Sequence, residues 1–358
     1  MGKFKTGVIA AMLLCGTSVF ANNFRGGDQV YVPAVGHLGG AGATFVSDIF
    51  ISNLESDSAV DVSIIFSQGD NTGTPNITTF RNGDGTGFTL TLQPRERREI
   101  IDFVSAPKST GGLGLNCTTA ACFGDAVFNA CLSGKDCTPD PNTGTNANFR
   151  NISVESRIYA FNPANGTATT SATTGQLFNG FGWYSYASSD GAAAGLDKVF
   201  ITGLRNNTGT PLAGTYRGNV GFVNASQFST TTLRVQLFDG KTGNQIGSDV
   251  FVPLGPLGIA QKNIGAMFPS FTGSTATNAW LLVTQDAGAT TPTGDALANG
   301  CGNGCPAFFA YGSVLDNVTS DATTLESQYT RPLSDAAINC IYNQTCKGAF
   351  NPKRAAKH

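Results

Sequence analysis

Apolar and polar residues alternate with a period of two along much of this chain. Phe45, Ser47, Ile49 and Ile51 share one side of a predicted strand, and Val46, Asp48, Phe50 and Ser52 share the other. Val60, Val62, Ile64 and Phe66 form a second such run. Further strands are predicted at 88–92, 152–159, 233–238, 250–254, 280–284 and 308–315. Turn formers separate them: Gly69-Asp70-Asn71, Asn82-Gly83-Asp84-Gly85 and Asp239-Gly240-Lys241. Helix is expected only at 119–132 and 334–342. Many short strands punctuated by Gly and Asn predict an all-β chain folded as sandwiches.

The pattern is duplicated. Asp48-Ile49-Phe50-Ile51-Ser52-Asn53 leads through the Val60 run to Leu92-Gln93-Pro94. Asn219-Val220-Gly221-Phe222-Val223-Asn224 leads through the Leu233 run to Leu254-Gly255-Pro256. Asn53 and Asn224 stand 171 positions apart, a domain-sized period rather than that of a solenoid. Two tandem immunoglobulin-like β-sandwiches are therefore expected, at 28–190 and 191–333. A cysteine-rich insert is expected at 106–149 and a disulfide-bonded tail at 334–358.

The chain resembles a family of uncharacterised secreted bacterial proteins with tandem β-sandwich domains. The resemblance is carried by Val32-Pro33-Ala34-Val35-Gly36-His37, then Gly42-Ala43-Thr44-Phe45-Val46-Ser47-Asp48 and Asn53. Ser156-Arg157-Ile158-Tyr159, Thr174-Gly175-Gln176 and Ala310-Tyr311-Gly312-Ser313-Val314-Leu315-Asp316-Asn317 continue it. It covers most of the chain, and its signatures are strand and turn residues. It thus implies a fold and transfers no catalytic residue. The insert at 106–149 and the tail depart from the usual pattern.

Export is read from the N-terminus. Lys3 and Lys5 precede the apolar run Val8 to Leu14, and Val19-Phe20-Ala21 places small residues where a signal peptidase cuts, so residues 1–21 are expected to be a signal peptide. Cys15 falls inside that segment, and its preceding Leu14 argues against a lipid anchor. Eight of the nine cysteines remain, in clusters: Cys117, Cys122, Cys131 and Cys137; Cys301 and Cys305; Cys340 and Cys346. Pairing within clusters is expected in an oxidising compartment, with three connectivities open for the quartet. Such short loops predict bridges that pin exposed turns. No cluster has the C-x2-C spacing of a zinc site. No later stretch is long and apolar enough for a helical membrane span.

Charged residues make up 13% of the chain and its formal charge is −2, which gives no electrostatic footprint for nucleic acid. Two histidines, His37 and His358, leave little for His-based catalysis. His37 has Asp48 as its nearest carboxylate in sequence, but no G-x-S-x-G elbow nominates a nucleophile. Glu155, projecting beside Arg157, suits a solvated ion pair better than a glycosidase acid. The glycine clusters at 39–42 and 111–114 lack the strand-to-helix context of a phosphate loop. The run Arg95-Glu96-Arg97-Arg98-Glu99 reads as a charged edge strand.

Two ligand expectations remain. Asp140, Asn142, Asp316 and Asp321 sit in oxygen-rich loops that could hold calcium, although such loops more often serve as turn formers. No other cofactor is expected. Trp183, Tyr184 and Tyr186 could form a glycan platform, with core packing as the default for most rings. The sequence thus predicts a secreted, non-catalytic structural or adhesive protein of the cell surface or extracellular matrix. Its partners would be itself, other surface proteins or glycans, with filament formation included. Carbohydrate binding is the alternative, followed by a carboxylate-dependent glycoside hydrolase.

Overall fold

The computed structural model describes residues 26–40, 43–69, 76–80, 90–117, 122–138, 146–161, 175–182, 187–188, 198–207, 215–225, 230–271, 278–286, 307–317 and 322–330. The expected signal peptide, the helix at 334–342 and the pairs Cys301–Cys305 and Cys340–Cys346 lie outside these residues.

The first sandwich uses β1 (Gln29–Gly40), β2 (Ala43–Asn53), β3 (Val60–Gln68), β4 (Asn76–Phe80), β5 (Leu90–Leu92) and β6 (Arg97–Ile100), then β7 (Cys122–Leu132), β8 (Ile152–Phe161), β9 (Gly175–Asn179) and β10 (Phe181–Gly182). One layer runs β10-β1-β7-β3, with β5 and β4 side by side on the far edge of β3. The other runs β6-β2-β8-β9. A hairpin pairing His37–Gly40 with Ala43–Val46 bends β1 into β2 and joins the layers at one corner. Between them, alternate residues meet: Val30, Val32, Ile49, Ile51, Val62, Ile64, Phe66 and Phe128 are fully or almost fully buried.

The second sandwich uses β11 (Ala187–Ser188), β12 (Lys198–Leu204), β13 (Tyr216–Asn224), β14 (Thr231–Asp239), β15 (Val250–Leu254) and β16 (Ile259–Asn263). A four-residue helix α1 (Ile264–Met267) follows, then β17 (Ala279–Gln285), β18 (Ala307–Asp316), β19 (Ala322–Leu325) and β20 (Gln328–Thr330). Its layers are β16-β13-β18, edged by β11 and β19, and β15-β14-β17-β12-β20. Asn263 caps α1, its Oδ1 accepting from the backbone N–H groups of Gly265 and Ala266. Leu233, Val235, Leu237, Leu281, Val283, Phe222 and Phe268 fill the core.

The fold is therefore all-β, with two tandem sandwiches, and its strand pairings repeat. Apart from the β1–β2 hairpin and the pairings of β4 and β11, strands β1, β2, β3 and β5 to β10 have the same neighbours as β12 to β20 in the same order. Even the irregularities recur: β1 bulges between Val32 and Val35 against β7, and β12 shifts register between Thr202 and Leu204 against β17. The two Leu-x-Pro turns each place the residue after proline in the left-handed region, Arg95 at φ 59° and Leu257 at φ 52°. Each turn is held by an asparagine that ends an earlier strand, Asn53 of β2 or Asn224 of β13. Asn53 Nδ2 donates to the carbonyls of Gln93 (2.9 Å) and Leu92 (3.3 Å), and Asn224 Nδ2 donates to that of Gly255 (2.7 Å).

One element corrects the sequence reading. The segment expected as helix at 119–132 contains strand β7, which pairs with β1 and β3 along its length. Ala-rich composition favours helix locally. Period-two burial of Cys122, Ala126, Phe128 and Ala130 on the core side overrides it. Gly124 lies so close to β3 that an added Cβ would sit 1.9 Å from the Ser67 carbonyl oxygen.

Of the cysteine quartet, Cys117 bonds Cys122 and Cys131 bonds Cys137. The first bridge corrects the expectation of exposed pins, because both its cysteines belong to the core of the first sandwich. The charged run behaves as expected. Its Arg97–Ile100 part is an edge strand that pairs with β2, and Arg98 clamps Glu96 at 2.6 Å.

The sandwiches are stacked. The outer face of β1-β3-β7 presents Tyr31, Ile65 and Val127 to Val223, Ala225, Leu257, Ile259 and Phe309 of the second sandwich, all buried. Tyr31 and Phe309 meet edge to face at 5.9 Å, and the Tyr31 hydroxyl donates to the Ala225 carbonyl at 3.1 Å. Beside this patch, Ala34 and Phe178 pack on Tyr311. Strand β11, although it precedes residue 190, pairs with β18 of the second sandwich.

Candidate functional site

The richest polar cluster gathers around His37 at the end of the first sandwich. Strand β1 carries His37 to the corner where it pairs with both Val46 and Cys122. The chain leaving β6 turns sharply at Asp102, a non-glycine residue at φ 49°. That turn brings Asp102 Oδ1 to 2.8 Å and Ser105 Oγ to 2.9 Å of the same imidazole nitrogen, Nδ1. Behind them, Asp48 Oδ1 accepts from the Asp102 backbone N–H and from the Tyr159 hydroxyl, each at 3.0 Å.

Burial raises the carboxyl of Asp102 above the ordinary aspartate range, with the His37 contact pulling the other way. Asp48 is raised too, chiefly by burial and against the help of the Asp102 N–H and Tyr159, with Glu99 adding repulsion. Burial and the neighbouring Asp48 push the Tyr159 phenol upward.

Serine, histidine and aspartate thus meet, but not as a relay. A relay needs the carboxylate on one ring nitrogen and the hydroxyl on the other, so that the imidazole passes a proton between them. Here both sit on Nδ1. If Nδ1 carries the proton and donates to Asp102, it has no lone pair left for Ser105. The arrangement instead ties the segment 101–115 onto β1 and β2. The Phe103 N–H reinforces it by donating to the Ser47 carbonyl at 2.7 Å. Sequence reasoning found His37 and offered it Asp48. The true partner is Asp102, and Asp48 stands one step further back.

The other expected site residues are placed as follows. Trp183, Tyr184, Tyr186, Asp140, Asn142 and Asp321 lie outside the described residues. Asp316 ends β18, and the Oδ1 of its neighbour Asn317 accepts from Arg217 at 3.1 Å. Among the described residues, no three His, Cys, Asp or Glu side chains converge as metal ligands. Glu155 lies opposite Phe50 and Asn179 on β8, and Arg157 stacks over the Tyr159 ring at 4.8 Å.

Sequence reading left two features unassembled, although it names Trp280 as a place where exposed coplanar rings would favour a carbohydrate binder. The first is a row of rings on the outer face of β12-β17-β14. Trp280 stacks on Phe238 at 4.3 Å and 15°, and Phe200 lies 5.9 Å beyond. Trp280 and Phe238 cover each other's faces, whereas a sugar platform needs faces turned to solvent. The second is Asp125 on β7, wholly buried where the sandwiches meet. Among the described residues, neither of its carboxyl oxygens has a hydrogen-bond partner outside the residue, and the adjacent Ser67 Oγ has none either. Burial drives the Asp125 carboxyl well upward, and its charge helps raise the Tyr311 phenol.

No protein-family model matches this chain, and no curated protein matches it. Among solved structures, a biofilm associated protein B domain is similar at 10% identity, over 85% of this chain and 85% of that chain, with a TM-score of 0.18. A biofilm associated protein BSP domain is similar at 9% identity, over 86% of this chain and 59% of that chain, with a TM-score of 0.17. Superpositions that loose carry no argument. The class is defined by the chain's own geometry: a disulfide-bonded, all-β protein of two stacked, duplicated sandwiches.

Proposed function

We propose that this protein is a secreted, non-catalytic structural or adhesive component acting at the cell surface or in the extracellular matrix. The stacked seam between the sandwiches carries this reading. Tyr31, Ile65, Val127, Val223, Ile259 and Phe309 are sealed together. The two domains therefore do not hinge around a cleft, the usual place for a substrate. The bonding of Asp102 and Ser105 to a single histidine nitrogen, and the two described disulfides, support it further. The oxidising export route, the glycan or protein that is bound, and the calcium loops at Asp140 and Asp316 belong to this proposal as well.

The test is retention of the purified, oxidised protein on intact bacterial cells and on a glycan array, run beside an ester-hydrolysis assay with p-nitrophenyl acetate. Saturable retention on cells, with no turnover above a denatured control, is the expected result. Turnover abolished by both His37→Ala and Ser105→Ala would overturn it and establish a hydrolase. Binding to one glycan class, lost in Trp183→Ala, would favour the carbohydrate-binding alternative.

A further inference from the structure

The internal duplication assigns a role to a face that the described fold leaves uncovered. The registers fix which residues correspond. Tyr31 pairs with Val127 as Phe200 pairs with Leu282. Ser67 and Asp125 face each other as Phe238 and Trp280 do. The seam-facing residues Tyr31, Val127, Ser67 and Asp125 of the first sandwich thus become Phe200, Leu282, Phe238 and Trp280 in the second, while Ile65 becomes Gln236. In the first sandwich this face is roofed by a β-sheet. In the second it is more apolar, and on the adjoining edge strand β15 Phe251 is 53% exposed. A large exposed aromatic beside a row of rings is what an interaction surface presents.

The same correspondence identifies the occupant. If molecules stacked head to tail, the covering face would be the outer side of β2-β6-β8 from the next copy. The docking residues Ile259, Phe309 and Tyr311 of β16 and β18 correspond there to Arg97, Ser153 and Glu155. Arg97 is already committed over the Phe50 ring at 4.9 Å. Covering aromatic rings with such a face would strand charges away from water. The ring face itself is the matching surface. Phe200, Leu282, Trp280 and Phe238 make most of it apolar, Gln236 lies among them, and the Arg234–Asp249 ion pair (2.6 Å) beside it supplies both signs at the rim. A two-fold axis would set each arginine near the other copy's aspartate.

We propose that two copies of this chain associate face to face through β12-β14-β17 and β15, forming a closed two-fold dimer rather than a growing fibre. The proposal stands apart from the adhesive reading, because a monomer can still adhere and a dimer need not.

The test uses the full secreted chain in size-exclusion chromatography with light scattering, beside Leu282→Glu and Phe251→Asp. Circular dichroism and thermal melting confirm that each variant is folded. Phe251 projects from an edge strand, so its variant keeps the test valid if Leu282→Glu misfolds. Twice the chain mass for the wild type is expected, with dissociation at least about tenfold easier in each folded variant, as for a residue central to an interface. A monomeric wild type would overturn the proposal. So would a dimer indifferent to both substitutions, or an open-ended polymer.

Discussion

Asn53 and Asn224 show how much one side chain can fix. Each spans from the end of a strand to the carbonyls of a Leu-x-Pro turn, which is then free to adopt a left-handed residue without losing its partners. Replacing either by alanine leaves buried acceptors unsatisfied. Asn53→Ala and Asn224→Ala are each expected to cost on the order of 1–3 kcal/mol, read as a lower urea midpoint at unchanged slope. Asp125 presents the opposite case. Its carboxyl is raised in the folded state, so the neutral form is favoured there. Its contribution is full below the unfolded value and is lost as pH rises through the folded one. Asp125→Asn should therefore stabilise the protein at neutral pH by about 1–3 kcal/mol and flatten the pH dependence between acid and neutral solution. Melting both forms at pH 4 and pH 7.5 checks this. A loss at pH 7.5 larger than that at pH 4 would mean that the carboxylate has a partner.

Strands were legible wherever alternation was clean. The runs around Ile49, Val62, Val235 and Leu281 emerged where the pattern put them, because a half-buried sheet needs that pattern. Strand β7 was not legible, since Ala, Cys and Gly carry little alternating hydrophobicity and their burial is decided by β1 and β3 on either side. The His37 cluster was half legible for a related reason. The histidine is visible in the sequence, but Asp102 and Ser105 reach it only through a turn that no local rule announces. At this scale the Cys117–Cys122 bridge is a core component. Cys117→Ala/Cys122→Ala should lower stability by about 2 kcal/mol from loop closure alone, and by more because both sulfurs are packed. Reduction in a folded-state titration should reach the Cys131–Cys137 bridge first.

Taken whole, the molecule is four sheets deep, and the apolar residues of its middle junction are nearly as buried as those of its two cores. Phe309 is 3% exposed at that junction. Phe309→Ala is expected to cost about 3–5 kcal/mol and to split one cooperative unfolding transition into two, seen by calorimetry. A single unchanged transition would mean that the domains are coupled elsewhere. The duplicated pairing was visible from sequence as two Asn…Leu-x-Pro runs. The stacking was not, because Tyr31, Ile65 and Val127 read like any outward residues of a strand until a second sheet covers them.

That junction also has a history in time. A chain made from its N-terminus can complete the β1-β3-β7 face before β13, β16 and β18 exist to cover it. For that interval Tyr31, Ile65 and Val127 form a bare sticky patch, with Asp125 and Ser67 in its midst. In open water the carboxylate is ionised and hydrated, and it holds other chains off. Once the second half arrives, burial pushes the same group toward its neutral form. The side chain that weakens the finished protein is the one that guards the unfinished one.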